Sequence, residues 1–272
     1  MRLRNAIALA IMASVMASAC SRLTFIKPNM KRRGSEQVAP DYNVSGDGRG
    51  QQRMAAKDRV GLAERYLRAG QLDQAATEAK AALKIDPKSV EAYAVLGIIE
   101  EQRGNATKAG GYYGKAAELA PTRGTVLNNY GAWLCGNGRA AESLALFDRA
   151  LADRAYPTPA GALANAGSCA LRVGQTARAE RDLRRALALD PVNAVALAAM
   201  AEHEFRVGRY LEARAFSQRR LAAAPASVTV LQLASQIEHK LGDTVAADRY
   251  VRQLRTEFPQ APITQPGEGR PR

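Results

Sequence analysis

Glycine and proline recur along this chain at a nearly constant spacing. Successive members of one glycine series lie 34, 34, 36, 34 and 34 residues apart, and a proline series repeats the same intervals. The two series are Gly70, Gly104, Gly138, Gly174, Gly208 and Gly242, and Pro87, Pro121, Pro157, Pro191, Pro225 and Pro259. Only 22 of the 272 residues are glycine, so composition does not explain the series. The chain is therefore a tandem array of one structural unit of about 34 residues.

A unit of this length holds two antiparallel helices joined by a short turn, which is the tetratricopeptide repeat. Glycine suits the end of the first helix because it adopts the left-handed conformation at no cost. Proline follows the second helix because it has no N–H to continue the helix. Small residues recur where the two helices approach: Ala63, Gly97, Gly131, Gly167, Ala201 and Ser235. The sequence predicts an all-α fold, a right-handed superhelix whose first helices line the concave face.

The array is predicted to occupy 56–261 as six repeats that bury their apolar faces against their neighbours. Their bounds are about 56–89, 90–123, 124–157, 158–193, 194–227 and 228–261. The longer interval comes from two residues inserted between Ala150 and Pro157, which lengthen a helix or its loop. Bulkier residues in the last repeat, Val251 and Leu254, suit a terminal cap.

Residues 1–19 have the pattern of a bacterial export signal. Arg2 and Arg4 give a positive start, and the apolar stretch 6–15 is too short for a comfortable bilayer span. The sequence at 17–20, Ala-Ser-Ala-Cys, resembles a lipobox in which alanine replaces the usual leucine. The alternative is an ordinary signal peptide cut near Ala19, in which Cys20 has no role.

If the lipobox resemblance holds, Cys20 becomes the first residue of the mature protein and carries the acyl chains that anchor it. Several chains anchor a protein durably, whereas one holds it only marginally. Serine rather than aspartate follows at position 21, which by analogy with lipoprotein sorting favours the periplasmic face of the outer membrane. The polar stretch 20–55 is predicted to be a flexible basic tether, and the tail 262–272 is predicted to be disordered.

The formal net charge is +13. This charge suits a solvated basic surface, anionic lipid heads or an acidic partner, and the sequence does not choose among them. Nucleic-acid binding is disfavoured because the arginines are spread through the array and no nucleic-acid motif occurs.

Residues with catalytic chemistry are sparse. His203 and His239 fall in separate repeats, where they are interpreted as isolated surface residues of helices, and no further metal ligands stand at matched spacing. We therefore predict no enzyme activity, no metal, no cofactor and no small-molecule substrate.

Cys135 and Cys169 fall in the first helices of repeats three and four, at similar heights. An exported protein meets an oxidising compartment, so a disulfide between them is chemically permitted. It requires Cα atoms within about 7 Å and convergent side chains. The alternative is that both are small buried apolar residues.

Some motifs go beyond a generic repeat: Leu-Asn-Asn-Tyr-Gly at 127–131, Tyr156-Pro157, and Asn165 and Gly167 in the next repeat. In these residues the chain resembles the PilW/PilF family of type IV pilus biogenesis proteins. It implies a six-repeat outer-membrane lipoprotein that acts as a pilotin. Such a protein binds the type IV pilus secretin and helps it to localise to or assemble in the outer membrane.

The alternative function is a lipoprotein that scaffolds another envelope machine, such as peptidoglycan synthesis or outer-membrane protein assembly. In either case we expect the partner to lie in the concave groove, because such grooves hold extended segments of other proteins. Asn128 and Asn165 are interpreted either as groove contacts or as hydrogen bonds between helices. The predicted groove residues are Val60, Glu64, Leu67, Ala94, Ile98, Glu101, Asn128, Ala132, Asn165, Ser168 and Leu171.

Overall fold

The computed structural model describes residues 48–261, and every regular element within them is an α-helix. The predicted signal, Cys20, most of the tether and the tail lie outside these residues. The helix pairs of the repeats are α1 (Gly48–Arg68) and α2 (Leu72–Ile85), α3 (Val90–Gln102) and α4 (Ala106–Leu119), α5 (Gly124–Gly136) and α6 (Ala140–Ala152), α7 (Pro159–Arg172) and α8 (Thr176–Leu189), α9 (Ala194–Arg206) and α10 (Tyr210–Ala223), and α11 (Val228–Lys240) and α12 (Thr244–Glu257). The predicted all-α fold of six helix pairs is confirmed.

The turn between the two helices of each repeat is built on the predicted glycine. All six glycines have positive φ, between 72° and 83°. In repeat one the N–H after Gly70, that of Gln71, donates to the Tyr66 carbonyl at 2.9 Å, and the turn of repeat six makes the same bond from Asp243 to Glu238 at 3.0 Å. These bonds satisfy carbonyls that the end of a helix otherwise leaves open.

The first helix is longer than the sequence analysis predicted. It begins at Gly48, whereas the array was expected to start near residue 56, so 48–55 belong to α1 rather than to a flexible tether. Residues 51–55 are Gln, Gln, Arg, Met and Ala, which are good helix formers, and all five are exposed. Helix propensity therefore extends α1 where apolar periodicity gives no signal.

Small residues let the two helices of a repeat approach closely. A Cβ atom added at Gly167 in α7 would lie 2.6 Å from Leu183 Cγ and 3.1 Å from the Ala179 carbonyl oxygen, both in α8. At the same register, a Cβ added at Gly131 would lie 2.9 Å from the Phe147 ring. The recurring small residue is thus a packing requirement of the repeat.

The two inserted residues lengthen a loop. The connection after α6 runs over 153–158, whereas the corresponding connections run over 86–89, 120–123, 190–193 and 224–227. Asp153 Oδ2 accepts the Gly124 N–H at 2.8 Å, and this bond is the main cause that lowers the Asp153 pKa. Tyr156 is buried against Gly124, where an added Cβ would lie 2.7 Å from Tyr156 Cγ. The longer loop therefore packs against the start of α5.

Three buried glutamates share one register of the first helices, four residues before the turn glycine. They are Glu100, Glu204 and Glu238, and their respective ion-pair partners are Arg103, Arg209 and Arg214. The Asn105 side chain donates to Glu100 at 2.8 Å, and this hydrogen bond is the main cause that lowers the Glu100 pKa. Each buried carboxylate therefore has a partner, as burial of a charge requires.

Candidate functional site: the groove along the first helices

The predicted groove residues lie on α1, α3, α5 and α7, and a hydrogen bond between two of them joins α5 to α7. Asn165 Nδ2 donates to Asn128 Oδ1 at 3.0 Å, and both side chains are half-buried. The pair therefore makes the helix-to-helix hydrogen bond that the sequence analysis considered. Both side chains remain partly exposed, and each amide has donor or acceptor capacity beyond this bond.

A disulfide links the same two helices. Cys135 and Cys169 are bonded, with their Cα atoms 5.9 Å apart and their positions separated by 34 residues along the chain. Arg172 Nη1 also donates to the Cys135 carbonyl at 3.1 Å. The helices α5 and α7 are thus joined by an amide hydrogen bond, a covalent bond and a charge-assisted hydrogen bond, which fixes the centre of the groove.

At the N-terminal end of the predicted groove, the prediction for Val60 differs from the structure. Val60 is only 5% exposed and belongs to the core cluster that joins α1, α2 and α3, so its assignment to an exposed apolar groove was wrong. Leu67 is partly buried and packs against that cluster, whereas Glu64 is exposed.

On α3 the predicted residues form a mixed surface. Ala94 and Ile98 are half-buried, and Glu101 is exposed. Glu101 Oε2 accepts a hydrogen bond from Tyr113 Oη at 2.8 Å. Burial raises the Tyr113 pKa far above its usual range, and the bond to Glu101 adds to this effect, so the tyrosine remains a neutral donor.

The groove surface continues onto α5 and α7. Ala132 is exposed, and Ser168 is half-buried. Leu171 is partly buried and packs against two core clusters, so only part of its side chain is available to a partner. The exposed side chains of α5 and α7 are therefore small or polar here, and such side chains allow another polypeptide backbone to approach closely.

The predicted groove was not extended to repeats five and six, although the 34-residue register gives the equivalent positions. Counting forward from Asn128, Ser168 and Leu171 reaches equivalent positions on α9 and α11. These are Ala198, Glu202, Phe205, Gln232, Gln236 and His239, each half-buried or exposed. The signal was present, but the register was not carried beyond repeat four.

His203 was also wrongly assigned to a helix surface. It is 4% exposed, and its Nε2 lies 3.1 Å from Glu180 Oε1, a contact that is the main cause of the lowered Glu180 pKa. The 34-residue register predicts a buried side chain at this position, because the equivalent residues of the neighbouring repeats, Cys169 and Ile237, are both buried. His239 is exposed, as expected.

Among residues 48–261 no group of three or more His, Cys, Asp or Glu side chains could hold a metal ion. Within that same range, none of the helices combines the length and apolar character needed to cross a bilayer.

Comparison with known proteins agrees with the fold. Models of the tetratricopeptide repeat match 60–123 and 160–193. One similar solved structure is that of PilW, described as a widely conserved type IV pilus biogenesis factor, whose sequence is 34% identical to this chain. The match covers 76% of this chain and 94% of that one, with a TM-score of 0.68. A structure of PilF from Pseudomonas aeruginosa gives 26% identity, 79% and 95% coverage, and a TM-score of 0.66.

A sequence match adds to this likeness. The chain is 30% identical over 125 residues to the type IV pilus assembly protein PilF of Pseudomonas aeruginosa, a stretch that spans 46% of this chain and 50% of that protein. The fold and the repeat models define a tetratricopeptide-repeat protein. Within that class, the chain belongs to the PilW/PilF family of type IV pilus biogenesis proteins.

Proposed function

We propose that this protein is a pilotin-like scaffold that binds the type IV pilus secretin and helps it to localise to or assemble in the outer membrane. The observation that supports the proposal most is the 34% identity to PilW along 94% of that chain. A groove clamped at α5 and α7 is suited to binding a partner, because a rigid groove loses little conformational entropy when the partner binds.

The partner is proposed to contact the surface around Asn128, Ala132, Asn165 and Ser168. The two amides supply donors and acceptors that an extended backbone can use. Ala132 is exposed and small, so a partner can approach the α5 backbone there. The acidic residues Glu64 and Glu101 lie towards the N-terminal end of this surface and would favour basic side chains in the bound segment.

Replacing Ala132 by arginine is expected to weaken secretin binding about thirtyfold, because a long charged side chain would fill the groove at the proposed contact. The matched control is Ala145→Arg on α6, where the alanine is also exposed but lies on a second helix. Both variants would be introduced into cells that lack the wild-type gene. Secretin multimers in the outer-membrane fraction and pilus-dependent twitching would then be measured.

The proposal predicts that Ala145→Arg restores multimers and twitching, whereas Ala132→Arg does not. Normal multimers and normal piliation in the deletion strain itself would count decisively against a pilotin role. Co-purification of a murein enzyme or an outer-membrane assembly factor instead of a secretin would favour the alternative envelope scaffold.

We also propose that Cys20 carries the lipid that holds the protein on the periplasmic face of the outer membrane. The Cys20→Ala variant should keep the fold, because Cys20 lies outside the six described helix pairs, and should move to the soluble periplasmic fraction. Fractionation with a high-salt wash separates acyl anchoring from charge attraction. Continued sedimentation of the variant with outer membranes in high salt would contradict lipid anchoring.

A further inference from the structure

One exposed stripe along the second helices of repeats four to six carries arginine and no acidic residue. On α8, positions 181, 184, 185 and 188 follow helical spacing and share one face. We call these positions, with their equivalents 34 and 68 residues later on α10 and α12, the outer stripe. All of them are exposed except Gln253, which is half-buried. The stripe holds six arginines: Arg181, Arg184, Arg185, Arg219, Arg249 and Arg252.

The outer stripe faces away from the core. On α8 each buried residue stands two positions before a stripe position, and so lies on the opposite side of the helix: Ala179, Asp182, Leu183 and Ala186. The first helix α9 contacts both α7 and α11, whereas the second helices α8, α10 and α12 are not packed directly against one another. The second helices therefore form the outer side of the stack, and the stripe lies on that side.

The repeat fold does not require arginine at these positions. The same register in repeats two and three holds one basic and one acidic residue each, and in repeat one it holds two lysines: Lys115 and Glu118, Arg149 and Asp148, and Lys80 and Lys84. An array of these repeats therefore forms with balanced charge at this register. The unbalanced arginines of repeats four to six are not a packing requirement.

Most of the positive charge on the outer stripe is not neutralised by the protein. Two of the six arginines pair with carboxylates of α8, at 3.0 Å for Arg181 and 2.7 Å for Arg184. Among residues 48–261 the other four make no ion pair. The exposed carboxylates of α10 and α12 stand at other registers: Glu212, Asp248 and Glu257. Four positive charges are thus available to an anionic partner.

The groove carries the opposite charge. At the predicted groove positions and their equivalents in the other repeats, no Lys or Arg occurs, and the acidic residues are Glu64, Glu101 and Glu202. All three glutamates are exposed. An anionic surface would therefore attract the outer stripe and repel the groove.

We propose that the outer stripe lies on the headgroups of an anionic phospholipid bilayer. Arginine suits this contact because its planar guanidinium binds a phosphate group through two hydrogen bonds. Between the arginines the stripe has only alanine, glutamine and threonine, so it lacks the large apolar side chains that form the centre of a protein interface. A lipid surface needs no such anchor, because each basic residue near the headgroups adds a similar attraction. This docking does not depend on secretin binding, and it leaves the groove facing away from the bilayer.

Co-sedimentation with phospholipid vesicles tests the docking. The full chain would carry Cys20→Ala, so that no acyl chain contributes, and the vesicles would contain phosphatidylcholine with or without phosphatidylglycerol. We expect tighter binding to the vesicles that contain phosphatidylglycerol, and release in about 0.5 M salt, which screens the attraction. The triple variant Arg185→Gln, Arg249→Gln and Arg252→Gln should weaken this binding about a hundredfold.

The matched control is Arg65→Gln, Arg68→Gln and Lys240→Gln, which removes the same charge from exposed positions on first helices. It should weaken vesicle binding no more than about threefold, because charges away from the contact are screened. Circular dichroism would confirm that each variant is folded. Equal weakening by the two triple variants, or no preference for phosphatidylglycerol, would overturn the proposal. The second result, together with an acidic protein bound through the stripe, would assign this surface to a protein partner instead.

Discussion

Replacing both Cys135 and Cys169 by alanine should lower the free energy of unfolding by about 4 kcal/mol, the value that a cross-link spanning 34 residues contributes in the chain-entropy model. The disulfide joins α5 to α7, and each repeat of a solenoid contacts only its neighbours. The loss should therefore weaken the interface between repeats three and four at the centre of the groove.

Urea unfolding with and without a reductant measures this effect. The wild-type protein should lose about the same stability in reductant as the double variant loses by mutation, since both lack the same cross-link. The double variant is its own control, because reductant should not change its unfolding midpoint. Equal midpoints for the wild-type protein in the two conditions, or free thiols at both positions after alkylation under denaturing conditions, would contradict the disulfide.

Replacing Gly167 by leucine should lower the free energy of unfolding by about 3 kcal/mol, as over-packing a filled core does. A Cβ alone would lie 2.6 Å from Leu183 Cγ, and Leu183 is fully buried, so it cannot move aside. Leucine is a better helix former than glycine, so any loss reports steric conflict rather than helix propensity. Thermal or urea unfolding measures the change.

The matched control for this substitution is Gly111→Leu in α4. Gly111 is exposed, and an added Cβ there would meet nothing within 4 Å. That variant should gain roughly 0.8 kcal/mol from helix propensity, so the two substitutions differ in sign. A Gly167→Leu variant as stable as the Gly111→Leu variant would show that α7 and α8 do not pack as described.

The array was predictable from sequence because the recurring glycine has the same structural role in every repeat. All six predicted turn glycines adopt positive φ, a conformation that strongly favours glycine. The start of α1 was not predictable from apolar periodicity, because residues 51–55 are helical and wholly exposed. Periodicity reports burial, and this part of the helix buries no apolar stripe.

The groove was harder to predict because residues at one register do not share one environment. Val60 and Ala94 are equivalent in sequence, yet Val60 is buried and Ala94 is half-buried. Val60 packs into the core cluster that joins α1, α2 and α3, a contact that the register alone does not reveal. Asn128 and Asn165 were identified, but only coordinates could show that each amide contacts the other.

The account depends on a groove that holds another protein, and in-cell photo-cross-linking tests it most directly. A photoreactive amino acid would replace Ser168 on α7 or, as the control, exposed Ala145 on α6. We predict that the secretin subunit is the main protein cross-linked from Ser168 and that Ala145 gives no such product. Secretin cross-links from Ala145 alone, or an unrelated envelope protein captured at Ser168, would contradict the account.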